Sequence, residues 1–193
     1  MGDDVTGARK PLLLLISGAP GSGKTVLAAR LSALLGLPVI AKDMIKETLS
    51  NALGTESIGQ SQVQGFAAIS LMYAVAAALL RTGVGVILES NFGREAEDEL
   101  AALLGQSRAA HICCYMPPDL CLKRYIERAE RPERHPTHFD RERLAAATPE
   151  VLAMRWRRHA PPDLPVPSLT VDTSDGYSPD IAAVVDWVAK AAD

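Results

Sequence analysis

Apolar and polar positions along the chain alternate between short continuous runs and longer stretches of helical period. Leu12–Ile16 is a five-residue apolar run, the pattern of a central parallel strand buried on both faces. Lys24 to Leu35 follows with helical spacing, placing Val26, Leu27, Leu31, Leu34 and Leu35 on one face, and Gly36 reads as its stop. Pro38–Ala41 predicts a second strand. A helix is expected after it through Ile45 and Leu49 to Leu53, with Asp43 as N-cap candidate. A loop over Gly54–Gly59 leads to a long helix, Gln60–Arg81, closed by Thr82-Gly83. Val84–Leu88 predicts strand 3, Arg94–Leu104 a helix, Ala109–Met116 strand 4, and Pro117-Pro118-Asp119 the start of a helix to about Glu130.

Beyond it, Arg131–His138 is polar and broken by two prolines, and reads as a mobile loop. Asp140–Arg158 is helical with a break at Thr148-Pro149, Ser168–Val171 is strand 5, and Pro179–Ala192 is a closing helix. Residues 1–10 read as a frayed leader. Strands alternating with helices predict an α/β fold with a five-stranded parallel sheet between two helical layers. One domain over 1–193 is expected, with ligands at the carboxyl ends of the strands.

Between strand 1 and helix 1 lies Gly18-Ala19-Pro20-Gly21-Ser22-Gly23-Lys24-Thr25, a complete G-x-x-x-x-G-K-[ST] phosphate-binding loop in the strand–loop–helix setting it requires. Glycines let the backbone curl until its N–H groups face phosphate oxygens, and the helix N-terminus behind them adds about half a positive charge. Lys24 is placed to reach the β- and γ-phosphates, and the Thr25 hydroxyl to ligate Mg²⁺. A nucleoside triphosphate is the expected cofactor.

Composition narrows the class. The 193 residues carry a formal charge of −3 and only 5% aromatics, without basic–aromatic interleaving, so a single-stranded nucleic-acid platform is not indicated. The charge is uneven: Lys123–Arg158 holds ten Lys/Arg against six Asp/Glu, half the chain's basic residues. This fits a phosphate-facing lid, read at about residues 129–140, beside the plainer reading of a solvated helical face. Cys113, Cys114 and Cys121 lack both even number and CxxC spacing, so neither a disulfide framework nor a zinc site is indicated, and a reducing, cytoplasmic setting fits. His135 and His138 have no evident third metal ligand. Phe66–Leu80 is a fifteen-residue apolar stretch, short of the roughly 20 needed to span a bilayer, so a core helix is expected.

The segments GAPGSGKT, AKDMIKETL, VILESN and RYIERAERPERHP together resemble the small P-loop kinases related to chloramphenicol phosphotransferase, polynucleotide 5′-kinase and the zeta toxins. Thr137 stands where many relatives have glycine. The resemblance implies an ATP- and Mg²⁺-dependent kinase. Asp43 would accept the proton of a substrate hydroxyl, with an N-cap role as the alternative. Glu89, at the end of strand 3, would serve the metal shell or the substrate, or be a plain strand-end carboxylate. Arg124, Arg128, Arg131 and Arg134 form the cationic set, with Arg124 and Arg128 four apart on one helical face and Arg128 favoured at the transferring phosphoryl group. Ion pairing with Glu127, Glu130 and Glu133 is the rival reading. Ser90 and Asn91 are candidate substrate contacts, Lys42 a solvated lysine or else a substrate contact, and Thr173–Gly176 part of an adenine pocket. The acceptor is expected to be a small-molecule hydroxyl. A polynucleotide 5′-hydroxyl, a nucleotide sugar or a non-kinase nucleotide switch are the alternatives, and oligomeric state is not readable.

Overall fold

The structure is a computed structural model that describes residues 9–92, 97–160 and 162–191. Its sheet consists of β1 (Leu12–Gly18), β2 (Val39–Ala41), β3 (Val86–Glu89), β4 (Arg108–Tyr115) and β5 (Ser168–Asp172). The strand order is β2-β3-β1-β4-β5, and every pairing is parallel. The flanking helices are α1 (Lys24–Leu35), α2 (Lys42–Leu53), α3 (Ile58–Arg81), α4 (Glu97–Gln106), α5 (Pro118–Ala129), α6 (Asp140–Ala145), α7 (Pro149–Arg157) and α8 (Ile181–Ala191).

The continuous apolar run of β1 follows from its place between β3 and β4. Leu13 and Leu15 project into one core with Met72, Tyr73 and Ala76 of α3 and Leu100 and Leu103 of α4. Leu14 and Ile16 project into the other, with Leu27, Ala28 and Leu31 of α1 and Val184 and Val188 of α8. A strand covered on both sides needs no polar alternation.

Several expectations shift. In α1 the buried face is Leu27, Ala28 and Leu31, with Leu35 packed beside it, whereas Val26 and Leu34 are each 59% exposed. At about 100° per residue the stripe centres between Leu31 and Leu35, which leaves Val26 on the far side and Leu34 at the margin. Asp43 is not an N-cap: Ala41 occupies that place, and Asp43 lies in the first turn of α2. The helix expected over Arg94–Leu104 begins, among the described residues, at Glu97 and runs on to Gln106; its expected start lies outside them, as does most of the leader.

The long helix α3 has 24 residues, beginning two residues before the expected Gln60, and is long and apolar enough to cross a membrane by length and composition. It packs instead on the sheet and α2. Ser57 caps it by accepting from the Gln60 N–H, and its buried Ser61 and Gln64 make side-chain hydrogen bonds.

The segment read as a loose loop is docked. A 3₁₀ turn at Pro136–His138 buries Thr137 and His138, and Ser61 donates to the Thr137 carbonyl at 2.6 Å. Two prolines break helical period without preventing tertiary anchoring.

Candidate active site

The phosphate loop owes its path to close packing. Gly21 and Gly23 adopt φ of 91° and 82°, in the region that favours glycine. A Cβ on Gly21 would collide with the Cys121 carbonyl oxygen at the start of α5, and one on Gly18 would come within 2.7 Å of the Cys114 carbonyl. The loop is also held from outside, where Trp156 Nε1 donates to the Pro20 carbonyl (2.9 Å) and the Thr173 hydroxyl to the Ser22 carbonyl (2.6 Å). Gly21→Ala is therefore expected to cost about 3 kcal/mol, lowering Tm by roughly 5–10 °C in a melting curve and weakening nucleotide binding.

Lys24 and Thr25 converge on one carboxylate. Thr25 Oγ1 donates to Glu89 Oε2 at 3.0 Å, and Lys24 Nζ lies 3.7 Å from Glu89 Oε1. Glu89 is buried at the end of β3, beside β1 in register with Ile16, so neighbouring strands deliver these groups to the same edge. An all-oxygen set of a hydroxyl and a carboxylate suits a hard cation such as Mg²⁺. No group of three or more His, Cys, Asp and Glu able to hold a metal occurs among the described residues.

In front of this edge opens a cavity of about 500 Å³, lined by the loop, α2, α3, the 90–92 turn, α5 and the 134–143 segment. Asp43 faces it with a side chain still 44% exposed, and Lys42, partly exposed on the same cavity wall, stands 3.6 Å from its Oδ1. Burial tends to raise the Asp43 pKa. His138 when protonated, Lys42, Lys24 and Arg134 outweigh it and hold the carboxyl below its usual range. Asp43 is thus ionised at neutral pH.

The cationic set divides. Arg128 lines the cavity over the Tyr125 ring, 5.6 Å from its centroid, and its Nε is buried without a hydrogen-bond partner. Burial lowers its pKa, but a guanidinium remains charged at any ordinary pH. Arg134 also lines the cavity but is tethered, with Nε 2.7 Å from Asp140 Oδ2 and Nη1 3.8 Å from Glu47 Oε1. Arg131 is exposed and away from the cavity wall. Arg124, four residues before Arg128 on α5, is exposed and donates to the Ser174 carbonyl at 3.3 Å, on the side of the loop where Thr173 sits. Of the expected ion pairs with Glu127, Glu130 and Glu133, none involves these four arginines among the described residues.

Ser22 Oγ is a second buried polar atom lacking a partner, inside the loop itself. Orphaned donors around a glycine cradle fit a polyanionic ligand, because buried polar groups are otherwise satisfied. The histidines are used structurally. His138 Nε2 lies 2.6 Å from Glu47 Oε1, and His135 Nε2 lies 3.1 Å from Asn51 Oδ1. Buried Cys114 has its thiol pushed up to about 12, which suits a packing residue.

A family model described as an AAA domain matches residues 13–151. The chain belongs to the AAA-domain family, within the small P-loop kinase group. The chain is similar over 94% of its length, at 31% identity and TM-score 0.81, to 98% of a candidate kinase from Chloroflexus aurantiacus. A gluconokinase from Sinorhizobium meliloti (15% identity, TM-score 0.54, 96% of this chain and 95% of that one) shares the fold. So does a sugar kinase from Janibacter (13%, 0.56, 93% and 95%). No curated protein matches the sequence. The fold is that of phosphotransferases that use nucleotides.

Sequence reasoning missed Lys46, Tyr125, Arg143 and Arg155 on the cavity wall. A signal existed for Lys46, since it lies three residues after Asp43 and so shares its helical face. Arg143 and Arg155 had none, because α6 and α7 reach the cavity through tertiary packing on α5.

Proposed function

We propose that the protein is an ATP- and Mg²⁺-dependent phosphotransferase that moves the γ-phosphoryl group to a hydroxyl of a small molecule. The observation that carries this reading is the juxtaposition of an ionised Asp43 with Lys24 and with Arg128, whose Nε is buried without a hydrogen-bond partner, on one cavity. A nucleotide switch has no use for a carboxylate facing an acceptor-sized space beside its phosphate loop.

In this reading the loop amides and Lys24 hold the phosphates, and Thr25 with Glu89 holds the metal. Bound Mg²⁺ would supply neutralisation of phosphate charge. Asp43 orients the acceptor hydroxyl in line and takes its proton late, which suffices because phosphoryl transfer asks mainly for positioning and electrostatic stabilisation. Arg128 supplies positive charge to the transferring group, and Arg124 contacts the nucleotide on the Ser174 side. The docked 131–140 segment acts as the roof that excludes water from the reaction. A cytoplasmic setting belongs to the same proposal.

The test is transfer of radiolabelled γ-phosphate from ATP–Mg²⁺ across nucleosides, hydroxylated antibiotics, sugars, nucleotide sugars and 5′-hydroxyl oligonucleotides. A labelled small-molecule product is the expected result. Label on oligonucleotides only would move the assignment to a polynucleotide kinase. Slow free phosphate with every acceptor, together with an NTP-dependent change in protease sensitivity, would favour the switch.

A further inference from the structure

The cavity holds more positive charge than a nucleotide needs. Seven Lys/Arg side chains line it against three carboxylates, an excess of four. A magnesium-bound nucleoside triphosphate, at about −2, leaves roughly two positive charges over. The ion pairs say where the surplus lies. Lys24 is matched by Glu89, Lys42 by Asp43, and Arg134 by Asp140 and Glu47. Lys46, Arg128, Arg143 and Arg155 make no ion pair among the described residues.

Two of these four, Lys46 and Arg143, line the cavity together with Asp43. Lys46 lies one turn further along α2, is buried, and has as its partner a neutral hydroxyl, Ser61 Oγ at 2.7 Å. Arg143 of α6 is fixed by donation from Nε to the His138 carbonyl (3.1 Å), which leaves its terminal nitrogens for the cavity. Burial, then Lys42 and Arg143, press the Lys46 pKa down to about 8 against the opposing pull of Asp43 and Asp140. A buried ammonium beside two other cations is costly, and an anion between them would remove that cost. The remaining walls, Gln62, Phe66, Ile69 and Asn91, offer amide groups and modest apolar area, suited to a compact hydroxylated molecule.

We propose that the acceptor carries, besides the hydroxyl presented to Asp43, an oxyanion (a carboxylate or a phosphate) seated between Lys46 and Arg143. The inference rests on the phosphotransferase reading for the word acceptor, but the anion seat itself can be measured without turnover. The seat would exclude neutral polyols by leaving the two cations uncompensated.

The experiment titrates inorganic phosphate, at constant ionic strength, into full-length protein already saturated with a non-hydrolysable ATP analogue and Mg²⁺. The phosphate loop is then filled, and binding is read as a rise in melting temperature. Millimolar phosphate is expected to stabilise the wild type. Lys46→Gln and Arg143→Gln should each weaken that binding at least ten-fold, and Lys46→Arg, which keeps the charge, should retain it. No stabilisation of the wild type, or an equal response in all four proteins, overturns the proposal.

A second arm pairs acceptors that differ in one anionic group, gluconate against glucitol and ribose 5-phosphate against ribose. Transfer is expected to the anionic member only, and which pair responds separates carboxylate from phosphate. Transfer to the neutral members with equal efficiency sinks the anion seat and leaves the kinase reading standing. An intact phosphate response with no transfer to any acceptor in the broader panel counts against the kinase reading only.

Discussion

Arg128→Gln is expected to lower phosphoryl-transfer turnover by about 10³-fold or more, with a much smaller effect on nucleotide affinity. A guanidinium aimed at a transferring phosphoryl group is worth about 10³–10⁵ in rate, or roughly 4–7 kcal/mol of barrier. Arg128 has the features that role demands. It is on a helix rather than a loop, it is oriented by the Tyr125 ring, and its buried Nε has no competing acceptor to be pulled from. Glutamine keeps a polar side chain of moderate length but removes the charge. Single-turnover kinetics at saturating ATP would isolate the chemical step, and a rate within ten-fold of wild type would move the role to Arg134 or Arg155. Arg134→Gln is the informative contrast: its side chain is engaged by Asp140 and Glu47, so its loss should loosen the 134–140 segment and appear in stability as well as rate.

Asp43→Asn is the other large effect. A positioned general base contributes about 10²–10⁴-fold, so turnover should fall by that factor while ATP affinity stays within a few-fold. The carboxylate is held in its ionised form by the cations around it, so the wild type needs no prior deprotonation at neutral pH. Asparagine is nearly isosteric and still lets α2 form, since Asp43 does not cap that helix. Titration calorimetry with a non-hydrolysable analogue, alongside steady-state rates, separates the two quantities. Normal turnover in the variant would remove Asp43 from the reaction.

These two residues also show what could be read from the chain before its structure. The phosphate loop and Asp43 were legible because each follows a short apolar strand, and parallel strands bring such positions to one edge whatever the rest of the chain does. Strand boundaries moved by only a residue or two. The side of α1 that faces the core was misplaced, because Val26 and Leu34 are apolar yet sit at or beyond the margin of the stripe. The arginines were harder. Their spacing put Arg124 with Arg128 on one face of α5, but it could not say that Arg124 meets the Ser174 carbonyl from the far end of the chain while Arg128 lines the cavity. Lys46 was not singled out from the sequence. Its burial comes from Ser61 on α3, and no local pattern encodes that contact.

The α2 helix has a consequence for how such a protein could diversify. Within two turns it carries Asp43 and Lys46 toward the cavity, then Glu47 and Asn51 toward His138, Arg134 and His135. One rigid rod therefore sets the distance between Asp43 and the 134–138 segment proposed as the roof. Any substitution that shifts α2 to fit a new acceptor also displaces the roof, so the helix is a poor place for selection to experiment. The opposite wall is mechanically free of that burden. Gln62, Phe66 and Ile69 border the cavity from α3 without holding the 134–138 segment, whose tie to that helix runs through Ser61 and Gln64. New acceptors should enter a lineage through those three positions, while α2 stays fixed.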